Sequence, residues 1–224
     1  MNYDIEIICN SLLCIAALAG FIYSLIKFFK PKKALYKKMV GCALGCLFIE
    51  RLYEIVQYVI VGDLPQVFQI GTFGNIGCYM FLFSANYGAI DSLIDDKSDE
   101  LKKYRLAALA ALLIAVVSAI VILLSPSDPG RKITCVIEEL FVGASAYYSL
   151  KHLIIPKEYL DFFSGIRAFH AISLVLAVGT TVEDIIWCYQ VSVQAIWYIP
   201  YAILLFSMLT LAPALERGTK QWRT

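Results

Sequence analysis

"YRLAALAALLIAVVSAIVILLS", residues 104–125, is the stretch that decides the fold. Between Arg105 and Ser125 its one polar side chain is Ser118. About 20 apolar residues in a helix cross the ~30 Å hydrocarbon layer of a bilayer, and a helix apolar on every side is buried or faces lipid. Working outward, six more apolar segments of that length lie near 5–29, 38–62, 66–90, 131–153, 162–187 and 191–216. Breakers separate them: "KPKK" at 30, "GDLPQ" at 62, "DDKSDELKK" at 95, "SPSDPGRK" at 125 and "IPKE" at 155. The 224 residues are 60% hydrophobic with a mean hydropathy of +0.72, above the apolar share of an ordinary soluble domain. The expectation is an all-α, multi-pass protein of the cell membrane, with residues 1–224 forming one domain of seven transmembrane helices.

Charge placement predicts the orientation, since Lys- and Arg-rich connections stay cytoplasmic. Lys27, Lys30, Lys32, Lys33, Lys37, Lys38, Lys97, Lys102, Lys103, Arg105, Lys151, Lys157, Arg217, Lys220 and Arg223 fall on one side, and Arg131 and Lys132 on the other. The N-terminus is then outside and the C-terminus inside, as an odd helix count requires. "MNYDIEIICN" is acidic where a signal peptide is basic, so the first helix is expected to be retained. No polar stretch is long enough for an attached soluble module. A net charge of +1 gives no sign of a nucleic-acid partner. The seven cysteines sit in apolar helical sequence, which argues against a disulfide framework, and Cys42 and Cys46 lack flanking ligands for a metal.

A faint repeat runs through the chain. Tyr23, Ser24, Leu25 with Pro31, Lys32 recur 125 residues later as Tyr148, Ser149, Leu150 with Pro156, Lys157, and Leu82, Phe83, Ser84 recur as Leu205, Phe206, Ser207. Residues 5–90 would duplicate as 131–216, with helix 104–125 as a peripheral linker. This three-plus-one-plus-three layout resembles the SWEET and PQ-loop solute transporters; the one PQ dipeptide, Pro65 and Gln66, lies before the third helix. That resemblance implies two parallel three-helix units rocking around a solute site. "FIERLYE" (48–54) and "FLFSANYG" (81–88) are similar to the second and third helices of the seven-helix sensory regions of bacterial histidine kinases, which implies ligand sensing coupled to a cytoplasmic partner. The seventh helix, "VSVQAIWYIPYAILLFSMLTLAPAL", holds no lysine for a retinal Schiff base, which excludes a retinal photoreceptor.

Ionisable residues inside membrane helices cost about 2.5–3.5 kcal/mol each at the centre and mark functional sites. At ~1.5 Å per residue Glu50 and Glu54 fall near mid-membrane, one turn apart on one face, with Gln57 extending that face and Arg51 in reach of Glu54. A self-contained ionic clip is the plain alternative. Glu138 and Glu139 are adjacent and point ~100° apart, so one faces the bundle and the other helix four or the headgroups. Glu183 and Asp184 lie a turn from the outer end, as an interfacial cap or as part of a site. Gln69, Thr72 and Asn75 line the outer half of helix three; Gln194, Trp197 and Tyr198 begin helix seven, where Trp187, Trp197 and Tyr198 also fit an aromatic belt. These residues predict an outward-facing acidic cavity with six carboxylates around Arg51. At the inner end, Asp91 and Arg167 would close a gate as an ion pair, or Arg167 snorkels to headgroups. His170 is expected as a hydrogen-bonded interior histidine.

The expected ligand is a cationic small molecule or ion, or a coupling proton, carried by a transporter. The alternative is a receptor signalling through a separate cytoplasmic partner from its lysine-rich inner face, a face that equally fits anionic lipid. A homo-oligomer fits either. No glycine-rich phosphate cradle or Ser/His/Asp arrangement is present and no cofactor is called for, so an enzyme is the weaker reading.

Overall fold

A computed structural model describes residues 3–62, 70–91, 95, 98–156, 164–191 and 193–220. Pro65, Gln66, Gln69, Lys97, Lys157 and Arg223 lie outside the described residues, as does the side chain of Gln194. The described residues are helical almost throughout. The α-helices are α1 (Tyr3–Phe28), α2 (Leu35–Val61), α3 (Thr72–Ala85), α4 (Lys102–Leu124), α5 (Pro129–Ile154), α6 (Arg167–Cys188) and α7 (Gln194–Lys220). α3 runs on into a π-helical turn, Asn86–Asp91, and a 3-10 turn, Ser164–Ile166, leads into α6.

Five of the seven, α1, α4, α5, α6 and α7, are long and apolar enough to cross a membrane. α2 has the length, at 27 residues, but carries Glu50, Arg51 and Glu54 in its middle; α3 has 14 residues before the π turn.

Local chemistry sets the ends. Asp128 caps α5 by accepting from the Gly130 N–H, Pro129 fills the first helical position, where a missing N–H costs nothing, and Lys151 and His152 occupy the last turn. α2 stops at Gly62, whose φ of 84° is left-handed backbone that glycine adopts without strain, and whose N–H closes on the Tyr58 carbonyl.

Packing closes a ring in the order α1, α2, α3, α5, α6, α7 and back to α1, with α4 outside it against α5 and, less extensively, α6. α2 and α6 therefore face each other across the ring. Tyr58 near the end of α2 bonds Glu6 near the start of α1, and Lys37 near the start of α2 bonds Thr219 near the end of α7 (2.6 Å), so α2 runs against α1 and α7. The end holding the starts of α1, α3, α5 and α7 is called the upper end. On α4, Leu113, Ile114, Val116, Val117, Ile120 and Leu124 are exposed, while Ala108, Ala111, Ser118 and Ile122 are buried. The peripheral place expected for residues 104–125 is the one they occupy.

Between α2 and α3 the backbones nearly touch. A Cβ on Gly74 would lie 2.5 Å from the Glu50 Cβ and 2.8 Å from the Cys46 carbonyl oxygen, so only glycine lets α3 bring Asn75 to Glu50. Gly74→Ala is expected to destabilise the protein by about 1–3 kcal/mol through overpacking, read as a lower unfolding midpoint. Gly88→Ala, where an added Cβ meets nothing within 4 Å, should leave the midpoint in place.

Candidate functional site

The upper half of the ring encloses a polar cavity lined by Glu6 and Asn10 of α1, Glu50, Arg51 and Glu54 of α2, Thr72 and Asn75 of α3, Glu138 of α5, Glu183, Asp184 and Trp187 of α6, and Trp197 and Tyr201 of α7. The space open to the centre of a water molecule is about 40 Å³. One water needs ~10–15 Å³ by that measure, so about three waters or one small cation fit.

Arg51 organises the centre. Its Nη1 and Nη2 fork onto both carboxylate oxygens of Glu183 at 2.9 and 2.7 Å. Nη1 also reaches Glu54 at 3.1 Å, one turn on in α2, and the Asn10 side-chain oxygen at 3.3 Å. A planar guanidinium is the side chain that makes such a fork, and lysine cannot replace it. Beside this network Glu50 accepts from the Asn75 amide at 2.6 Å. Asp184 accepts a long contact from the Cys135 thiol (3.8 Å), itself 3.7 Å from the Cys188 sulfur. Glu50, Arg51, Glu54, Asn75, Glu138 and Asp184 are all buried.

Six carboxyl groups thus face one guanidinium: Glu6, Glu50, Glu54, Glu138, Glu183 and Asp184. Four oxygens on the lining have no protein partner: Glu50 Oε2, Glu138 Oε1, Asp184 Oδ2 and Asn75 Oδ1. Carboxyl and amide oxygens accept; only a donor or a cation completes them. A buried acceptor left alone costs about 1–3 kcal/mol, so the cavity is chemically set for protons, ordered water or a small cation.

Of the residues singled out from sequence, Glu50, Arg51, Glu54, Thr72, Asn75, Glu138, Glu183, Asp184, Trp187 and Trp197 share this lining; Gln57, Glu139 and Tyr198 do not. Tyr198 is 46% exposed because it faces outward while Trp197, one position earlier, faces inward and donates to the Val191 carbonyl at 2.9 Å. Glu139 sits with Thr181 on the wall of a separate apolar crevice between α4, α5 and α6. Glu183 is not an end cap but the partner of Arg51.

The Asp91–Arg167 gate is not formed. Asp91 is taken by Lys151 and by His152 (3.0 Å), because the π turn swings it toward α5, and Arg167 instead donates to the Leu153 carbonyl. His170 is interior, but neither ring nitrogen has a protein partner.

Glu6, Asn10 and Tyr201 were missed from sequence. Glu6 and Asn10, one turn apart in the first helix, were the available signal, and an acid so near the N-terminus reads as an end residue. Tyr201 offered none beyond its place four residues after Trp197, on whose ring it stacks in the structure (6.1 Å between centroids).

No protein-family model matches the chain, and neither a curated protein nor a solved structure does. The likeness to SWEET and PQ-loop transporters and to kinase sensory regions therefore rests on layout and short motifs alone.

Removing Arg51 would leave Glu54 and Glu183 buried without their cation. Arg51→Met is expected to cost about 3–5 kcal/mol in unfolding free energy, and the double variant Arg51→Met/Glu183→Leu less than the sum of the two single changes. A double-mutant cycle on the purified protein checks both.

Proposed function

We propose that the protein is a multi-pass membrane protein, with its N-terminus outside, that moves a small cation or a proton-coupled solute through this upper cavity. One observation carries the reading: six carboxyl groups, four of them buried, line one cavity with a single arginine and leave acceptor oxygens open to a guest. Ionisable side chains inside membrane helices are expensive and are kept where they bind or relay charge.

Several features support the setting. The exposed surface of α4 is aliphatic, the charge bias of fifteen basic residues against two favours an upper end that faces outside, and the cavity lies in the upper half of the ring. The chemistry assigns the roles. Arg51 pairs with Glu183 and Glu54, while Glu50 and Glu138, which no cation faces as closely, take the transported charge. With room for about three waters, the species held in the cavity is an ion or a proton with its water.

In liposomes, cation uptake or proton flux is expected in the unaltered protein and should fall at least tenfold in Glu50→Gln. Leu113→Ala, on the outward face of α4, should keep the full rate. Cation binding without flux in the unaltered protein would instead identify a seven-helix receptor.

A further inference from the structure

A second set of buried polar groups begins where the cavity ends. On α3 and the first residue of its π turn, Asn75, Tyr79 and Asn86 are spaced by four and seven; on α5, Glu138, Ser145, Ser149 and His152 by seven, four and three; on α6, Asp184, Thr180, Ser173 and His170 by four, seven and three. Such steps keep one helix face. Since α3, α5 and α6 are consecutive in the ring and each of these residues is at most 7% exposed, the three faces make one polar seam inside the bundle. Two contacts show that it crosses between helices. Tyr79 on α3 meets Thr180 on α6 at 2.7 Å, and the His152 and His170 rings on α5 and α6 are 4.6 Å apart.

The lower part of the seam has donors and acceptors that the protein leaves open: both polar atoms of the Asn86 amide, the Ser149 and Ser173 hydroxyls, both ring nitrogens of His170 and Nδ1 of His152. Seven such atoms would cost about 1–3 kcal/mol each if dry. Buried polar groups in that number are satisfied by internal water.

At its foot the seam meets ionised groups. His152 Nε2 is 3.0 Å from Asp91, which also pairs with Lys151; Lys151 reaches Asp95 at 2.9 Å, and Asp95 is held by Arg105 at 2.8 Å. Tyr148 and Phe169 pack on the two histidines, and Arg167 flanks His170.

We propose that this seam is a proton route joining the acidic cavity to the His152–Asp91 pair, so that the ion the protein carries is H⁺. The inference rests on the transport reading above and names its ion. A proton bound at Glu138 or Asp184 passes by hydrogen-bond exchange through water and the Tyr79, Thr180, Ser173 and Ser149 hydroxyls. Each group accepts one proton on oxygen and releases its own. His170 takes the proton on one ring nitrogen and gives up the proton on the other, and His152 hands it to Asp91 and the lower surface. One H⁺ enters, one leaves, and no bond other than O–H and N–H changes. Lys151 and Arg105 pair with Asp91 and Asp95, so the exit end is balanced in charge and does not trap a second cation.

Two measurements test it. In proteoliposomes with a pH gradient, His170→Phe and Asn86→Leu should each lower proton flux at least tenfold, while the unfolding midpoint shows that the variants fold. Independently, hydrogen–deuterium exchange at the imidazole C2 position, followed by mass spectrometry of the unaltered protein, should show His170 exchanging within tenfold of a denatured control, because water reaches its ring. A His170 ring more than a hundredfold protected overturns the seam, whatever the flux. So does flux in both variants equal to the unaltered protein. An unaltered protein that carries no protons while its His170 exchanges refutes proton conduction along the seam. If it still moves another cation, the transport reading stands, and if it moves none, that reading falls as well.

Discussion

The fork between Arg51 and Glu183 spans the ring from α2 to the helix opposite it. Most contacts in the bundle join neighbours, and neighbouring helices can slide over one another at modest cost. A bidentate ion pair across the diameter permits little of that, since a shift of an ångström breaks two charge-assisted hydrogen bonds at once. Around it the other acids are arranged at fixed distances. Glu54 is one turn along on the same helix, Asn10 approaches from α1, and Glu50 is turned toward Asn75 because Gly74 lets α3 lie against α2. The geometry of the cavity follows from one guanidinium and one missing Cβ.

Charge is balanced differently at the two ends. Toward the lower end, Asp91 and Asp95 share Lys151, Arg105 and the His152 ring, and each acid has a basic partner within 3.0 Å. In the upper cavity the single arginine answers two of six acids directly. The excess is not shed to solvent, because Glu50, Glu138 and Asp184 are buried. A folded protein tolerates that only if the uncompensated groups are neutral or hold something positive, and either condition is a bound proton or a bound cation.

Much of this was legible in the sequence, and the reasons differ by element. α4 was plain because its apolar residues go all the way round, leaving no other reading of its place. Glu50, Arg51 and Glu54 were plain because three charges in an apolar run have no other explanation than a partner. Glu138 and Glu139 were separable in principle, since adjacent residues diverge by ~100°, and the helix sends them to different cavities. What could not be read was pairing across elements. Nothing in the local pattern says that Glu183, 132 positions away, is the partner of Arg51. Likewise the π turn at Asn86–Asp91 adds a residue to one turn and re-aims Asp91 toward Lys151 and His152, which defeated the expected pairing with Arg167. The serines of the seam carry no signal of their own in the sequence, and only the ring brings their faces together.

The same cross-ring fork bears on how charge could move. A rocking of α1–α3 against α5–α7, as the three-plus-one-plus-three layout implies, would have to pull Arg51 from Glu183, stranding both in a region with room for about three waters. Breaking a buried pair in that way costs several kcal/mol unless a ligand replaces each partner, and a small cation can replace only the arginine. Proton relay makes no such demand. It needs side chains that exchange hydrogen bonds in place, and the hydroxyls, amide and imidazoles along α3, α5 and α6 are of that kind. On the proposed proton reading, a rigid fork above and an exchangeable polar seam below would let the helices stay put while the proton moves.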